Sequence, residues 1–172
     1  MGLYLQIEGI TPDGAVTMEK VGDLDKLIRI DSANISRANA LYLEVGNMAD
    51  ITGGNMGFSE LSVSRTADPV TSQLTTWFYK QVQDPKLVKM VVTRAGGGTV
   101  GDIPVYMAEM DGCFITSQNF SVGFDGDLQE SLSLVYQSIS EVFYTRESDG
   151  SFKKGAAVKY DLAKNTMVSG AK

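Results

Sequence analysis

Few side chains in this chain are of the types that do covalent or metal chemistry. There is one cysteine, Cys113, and no histidine. Zinc sites of the usual ligand sets need His or Cys, and serine or cysteine nucleophiles need an imidazole to take their proton, so both classes are excluded. A reactive thiol also needs a nearby cation or imidazole to lower its pKa. Cys113 instead precedes Phe114 and Ile115, which reads as a small apolar side chain on a strand. Asp125, Asp127 and Glu130 form an acidic group, DGDLQE. It lacks the twelve-residue ligand series and closing glutamate of a calcium loop, and it reads as a solvated acidic turn between strands. Gly96, Gly98 and Gly101 satisfy G-x-G-x-x-G. A dinucleotide site needs a helix to start inside that motif, yet Ile103-Pro104-Val105-Tyr106-Met107 follows. A hairpin is expected there, and neither an enzyme nor a bound cofactor or metal is.

Charge narrows the partners. Fifteen Lys and Arg against 21 Asp and Glu leave a net −6, so a phosphate backbone is repelled on average and nucleic acid is not an expected ligand. The one basic cluster is Lys153-Lys154 with Lys159 and Lys164, and Tyr160 is its only aromatic. The N-terminal stretch MGLYLQIEGITPDG has no basic region, and Glu8 interrupts its apolar run. Neither a signal peptide nor a membrane span is expected, which points to synthesis in the cytoplasm and export, if any, by a route that reads no leader.

The elements follow from periodicity. At 172 residues, 43% hydrophobic, with 18 Gly and only 4 Pro, one mainly β domain rich in turns is expected. Leu3, Leu5 and Ile7 alternate with polar or ambivalent neighbours, as do Leu61 with Val63, and Leu132, Leu134 and Tyr136; these read as half-buried strands. Thr11-Pro12-Asp13-Gly14 reads as a turn, and a strand is expected near Lys26 to Asp31. Asp68-Pro69 marks a helix start, and Val70, Leu74, Trp77, Phe78 and Val82 fall on one helical face. The helix should span about residues 69–83. Further strands are expected at Leu87 to Thr93, Ile103 to Met110, Cys113 to Phe124 and Glu130 to Thr145, with turns at Asp111-Gly112 and Asp125-Gly126. Residues 33–57 carry Leu41, Tyr42, Leu43, Met48 and Met56 among polar residues and glycines, and read as a long extended loop whose apolar side chains need a cover. A tail occupies about residues 146–172.

Four segments together resemble the haemolysin-coregulated protein family, the tube proteins of type VI secretion systems: YLQIEGI at the start, FSELSVSRTADPVTSQLTTWF from Phe58, GGTVGDIPVYMAEMDGCFITS from Gly97, and FDGDLQESLSLVYQSISEVFYTRESDGSFKKGAAVKYDLAKN from Phe124. Two positions depart from the family pattern. Thr11-Pro12-Asp13-Gly14 stands where a Gly-Glu-Ser segment and a later His are common, and Tyr160 stands where the tail often holds Trp. The resemblance implies a small antiparallel β-barrel with one flanking α-helix. It also implies homo-hexameric rings that stack into a hollow tube, which leaves the cell, meets spike and sheath or baseplate proteins, and carries effectors.

A barrel that meets neighbours needs strands apolar on both faces, which nominates Val88, Met90, Val92, Tyr106 and Met110 for contacts within a ring. Leu41, Tyr42, Leu43, Met48 and Met56 are nominated for stacking. Two other readings compete: a tail-tube protein of a phage or related contractile machine, and a monomeric ligand-binding barrel with a closed apolar pocket.

Overall fold

The computed structural model describes residues 1–12, 20–43, 51–95, 102–124, 126–148 and 152–171. In chain order the strands begin with β1 (Gly2–Ile7), β2 (Lys20–Val21), β3 (Leu24–Asp25), β4 (Ile28–Arg29) and β5 (Ser32–Asn34). Then come β6 (Arg37–Leu43), β7 (Ile51–Phe58), β8 (Leu61–Thr66) and the helix α1 (Thr71–Lys80). After a 3-10 turn over Gln81–Gln83 follow β9 (Lys86–Arg94), β10 (Ile103–Val122), β11 (Leu128–Val135) and β12 (Ser138–Arg146). Three short strands end the chain: β13 (Phe152–Lys154), β14 (Val158–Asp161) and β15 (Thr166–Ser169).

The fold is mainly β and antiparallel, with α1 the only α-helix among the described residues. One set of pairings runs β4-β1-β9-β10-β12-β14-β15, and a second runs β10-β11-β8-β5. Residues 28–34 join the two far edges. Ile28 and Arg29 pair with β1, the Ile30 N–H donates to Leu3 O at 3.0 Å, the Asp31 N–H donates to Ser64 O at 2.8 Å, and Ala33 sits opposite Val63. Edge amides that would otherwise invite another strand are thereby used within the chain.

The alternation read from sequence decides the core. Leu5, Ile7, Leu61, Val63, Val88, Met110, Leu132, Leu134, Tyr136 and Ile139 are all buried and form one cluster with Val70, Leu74 and Trp77 of the helix region. Each such side chain contributes about 1.5–3 kcal/mol through removal from water. The helix starts as expected: Asp68 Oδ1 accepts from the Val70 N–H at 2.9 Å, and Thr71 Oγ1 accepts from the Asp68 N–H at 3.3 Å, a reciprocal cap over Pro69. It ends sooner on one face than the periodicity implies. Gln81 takes φ 52°, the regular turn stops at Lys80, and Val82 is thrown out to solvent at 76% exposure. The Trp77 indole N–H instead reaches Asp84 O at 2.8 Å and fixes the exit of the helix.

Two expectations change. Asp111-Gly112 is not a hairpin turn; the chain runs through it as one strand of 20 residues. Gly112 adopts φ +63°, and pairing with β9 slips between Met110 and Cys113. The result is a bulge that bends β10 and moves it from one set of partners to the other. Upstream of it β10 pairs with β9 and β12; downstream, after a last β9 partner at Cys113 opposite Lys86, it pairs with β11. The turn residues were visible, but whether the chain reverses or only kinks depends on which strands wait on each side. Likewise residues 33–57 are not an irregular loop throughout: β6 and β7 pair as a two-stranded arm, with Arg37 opposite Phe58 and Leu43 opposite Ile51. Its glycines and polar residues hide the period of two. Residues 13–19, which include Asp13 and Gly14 of the expected turn, and residues 96–101 with the glycine motif lie outside the described residues.

Gly112→Ala should destabilise the protein by about 1–3 kcal/mol. A Cβ there would lie 2.7 Å from the Gln137 side chain at a positive φ, and chemical denaturation read by circular dichroism will show the loss.

Candidate functional site

Glu130 was expected in a solvated acidic turn, and it is fully buried. It continues the inward series of Leu132 and Leu134 on β11, so the period of two carries its carboxylate under the helix. There its Oε2 accepts from Arg65 Nη1 at 2.8 Å and from the Thr71 hydroxyl at 2.9 Å, and its Oε1 accepts from Gln118 Nε2 at 2.6 Å. Arg65 is equally buried and reaches Asp68 Oδ2 at 2.5 Å with its other terminal nitrogen, while its Nε–H has no partner. The two opposite charges satisfy each other's hydrogen bonds away from water, and removing either leaves the other stranded. The cluster ties β8, β10, β11 and the first turn of α1 together. Its hydrogen bonds are to other parts of the same chain, so it holds structure. Asp127 is exposed, and Asp125 lies outside the described residues. Among the described residues no three side chains of metal-binding type converge.

A second buried carboxylate, Glu141 on β12, forms an ion pair with Arg37 at the foot of the β6–β7 arm and accepts from the Tyr106 hydroxyl at 2.5 Å. Burial, followed by the hydrogen bond to the Glu141 carboxylate, raises the Tyr106 phenol well above its usual range. Desolvation likewise pushes Tyr136 up to about 12, and its hydroxyl donates to Ser59 O at 3.0 Å. Cys113 is wholly buried as expected; its thiol donates to Met110 O at 3.3 Å, and burial pushes its pKa up to about 12.

The side chains nominated for contacts within a ring separate into two groups. Val88 and Met110 are fully buried and Met90 is nearly so, and all three belong to this chain's own core cluster. Val92 and Tyr106 are half-buried, and Tyr106 stacks at 4.9 Å on the exposed Phe143. Met56 on the arm is partly exposed. Leu41, Tyr42 and Leu43 pair within the arm, but their side chains and Met48 lie outside the described residues.

Several uncovered apolar residues have no place in the sequence reading. Phe120, Val122, Phe124 and Leu128 are all exposed at the end of the β10–β11 hairpin, and Met167 and Val168 are exposed on β15. Apolar residues alternate at 120, 122 and 124, but they are out of phase with the buried Cys113 and Ile115, because pairing with β11 slips between Ile115 and Ser117.

The family model described as "Type VI secretion system effector, Hcp" matches residues 4–143. Among curated proteins, none is significantly similar in sequence. A solved structure of a type six secretion system protein is similar with a TM-score of 0.81 at 16% identity, over 96% of this chain and 98% of that one. Hcp1 from Salmonella typhimurium is similar with a TM-score of 0.70 at 12% identity, over 97% of this chain and 98% of its own. Hcp3 from Pseudomonas aeruginosa matches at 0.55 and 14% identity, over 89% and 95%.

Glu130→Gln should cost about 3–5 kcal/mol in urea unfolding, because it strands the Arg65 charge in the core. The double change Arg65→Met with Glu130→Leu should recover most of that. Stability should also fall as pH rises from about 9 to about 12. The Cys113 thiol ordinarily ionises near 9.0 and the tyrosines near 10.0; all three groups are held protonated by the fold, so their contribution is complete below those values and lost as pH passes the raised ones. In the native protein at about pH 8, Cys113 should react with a thiol reagent only as fast as the chain unfolds.

Proposed function

We propose that this chain, which belongs to the Hcp family of type VI secretion system effectors, serves as a tube subunit. Copies close into hexameric rings, rings stack into a hollow tube, and the tube is delivered out of the cell with effector proteins in its lumen, meeting spike and sheath or baseplate on the way. The observation that carries this reading is the family match over residues 4–143 on a fold that follows type VI secretion structures along almost its whole length. Among the described residues no helix is long and apolar enough to cross a membrane.

The physical logic is that of a building block, with no catalytic or ligand-binding step. A head-to-tail contact whose rotation closes makes a ring, and a second contact along the axis makes a filament. Both need apolar surface left uncovered in the single chain. Val92, Tyr106 and Phe143 supply one such surface for neighbours within a ring, and the arm with Met56 supplies another for the next ring. The Arg37–Glu141 pair at the foot of the arm holds that projection at a fixed angle.

Native mass in solution tests this directly. A six-chain ring is expected, and a single-chain species at high concentration would overturn the reading. Charge sets the conditions: six copies at −6 bring −36 together, and salt screens such repulsion beyond about 8–10 Å. Tubes seen by electron microscopy should therefore lengthen as ionic strength rises; shortening would refute the electrostatic account.

A further inference from the structure

Along β10 and β11, cross-strand partners share a face. Ile115 opposite Leu134 and Gln118 opposite Leu132 point into the core, and the next partners on that face are Phe120 with Glu130 and Val122 with Leu128. The hairpin therefore carries its core face out past the core. Val122 is 68% exposed, and Phe124 just beyond the strand is as exposed as a free side chain. An apolar knob of this kind, aromatic at its centre, has no cover in its own chain.

The same chain holds an apolar groove of about 300 Å³, lined by Ala38, Met56, Phe58, Ile139, Tyr160 and Met167. The arm β6–β7 makes one wall, β14–β15 the other, and β12 the floor. The two walls are tied to each other at one end: Phe58 packs against Tyr160 with ring centroids 4.9 Å apart, and Asn165 Nδ2 donates to Asn55 Oδ1 at 3.0 Å. The groove is thus preformed, which lowers the ordering cost of filling it.

A hairpin cannot fill the groove of its own molecule. The floor residues Ile139 and Glu141 sit opposite Met110 and Ala108 of β10, while the knob begins at Phe120. Along the run from Ala108 to Val122, β10 is held by pairing with β9, β12 and β11, so the knob cannot fold back onto that floor. Charge matches knob to groove. The turn of the knob carries Asp125 and Asp127 and no Lys or Arg, whereas β14 and the turn after it, on one wall, carry Lys159 and Lys164 against Asp161 in a chain of net −6. Opposite signs at the two ends select a head-to-tail approach and disfavour knob meeting knob.

We infer that the β10–β11 hairpin end, through Phe120, Val122, Phe124 and Leu128, docks into the groove between the β6–β7 arm and β14–β15 of a second copy of this chain. The contact rests on the proposed assembly of copies and gives it a direction: knob and groove lie at different places on one molecule, so the contact is heterologous and propagates. Burying two aromatic side chains in a preformed apolar groove supplies the affinity, and the acidic and basic flanks supply the orientation.

Cross-linking tests it on full chains. Phe124→Cys and Met167→Cys variants, each at an exposed position and carrying different tags, are co-expressed and mildly oxidised. The native Cys113 is buried and does not compete. A disulfide between the two different variants, well in excess of links formed by either variant alone, is expected. Adding Val122→Asp to the Phe124→Cys chain should lower the yield about tenfold by removing apolar contact. The native mass of the unmodified chain is read in parallel. No preferential link while the unmodified chain forms rings overturns the docking and leaves the tube reading standing. No link with a single-chain native mass overturns both. Links that form equally in every combination, or that survive Val122→Asp undiminished, mean random collision and also overturn the docking.

Discussion

The structure depends on one strand being shared. β10 runs for 20 residues, and the bulge at Gly112 lets its first part lie between β9 and β12 while its second part pairs with β11. A straight strand of that length could serve a single flat sheet, with one face wet. A bent one carries the chain around its own core, because side chains on the concave face converge from both sets of partners. Ala108, Met110, Cys113 and Ile115 are buried on either side of the bend. Residues 28–34 then complete the arrangement by joining β1 to β8. The same strand overshoots the core, which is why its end leaves Phe120 and Val122 uncovered.

Two buried carboxylates set features that apolar packing alone leaves loose. Oil-like contacts fix how much surface is buried far better than they fix angle or register. Glu130 and Arg65 allow the helix start only one seating, where Thr71, Asp68 and Gln118 all find partners. Glu141 does the same for the foot of the arm through Arg37 and Tyr106. Neither pair is a strong source of net stability, since desolvating the charges offsets much of their attraction. Their worth lies in geometry: a subunit that must match its neighbours has to present its helix and arm at repeatable positions. Both features follow from residues inside the fold, yet both bear on surfaces outside it.

Much of this was legible in the residues. The alternation through Leu132, Leu134 and Tyr136, the helix start at Asp68-Pro69, the buried Trp77 and the inert Cys113 follow from period, capping and the lack of histidine. The order of weak motifs was enough to place the chain near its family, although the three solved structures compared above share only 12–16% identity. The candidate contact residues fall partly in the core of this chain. Apolar character on both faces of a strand suggested a neighbour for Val88, Met90 and Met110, but a strand enclosed on both faces within one molecule has the same pattern. The arm was obscured for another reason, since its glycines and polar residues dilute a period of two.

By itself, then, the order of residues determined the strand faces, the helix boundary and the absence of histidine and paired-thiol chemistry, because those depend on neighbours two to four positions apart. Tertiary structure alone decided that Asp111-Gly112 would bend the chain without reversing it, that Glu130 would face Arg65 65 positions away in sequence, and that Phe120 and Val122 would end in solvent. Each of those outcomes turns on how far a strand extends beyond the partners that cover it. That distance is fixed only when segments remote in sequence have taken their places.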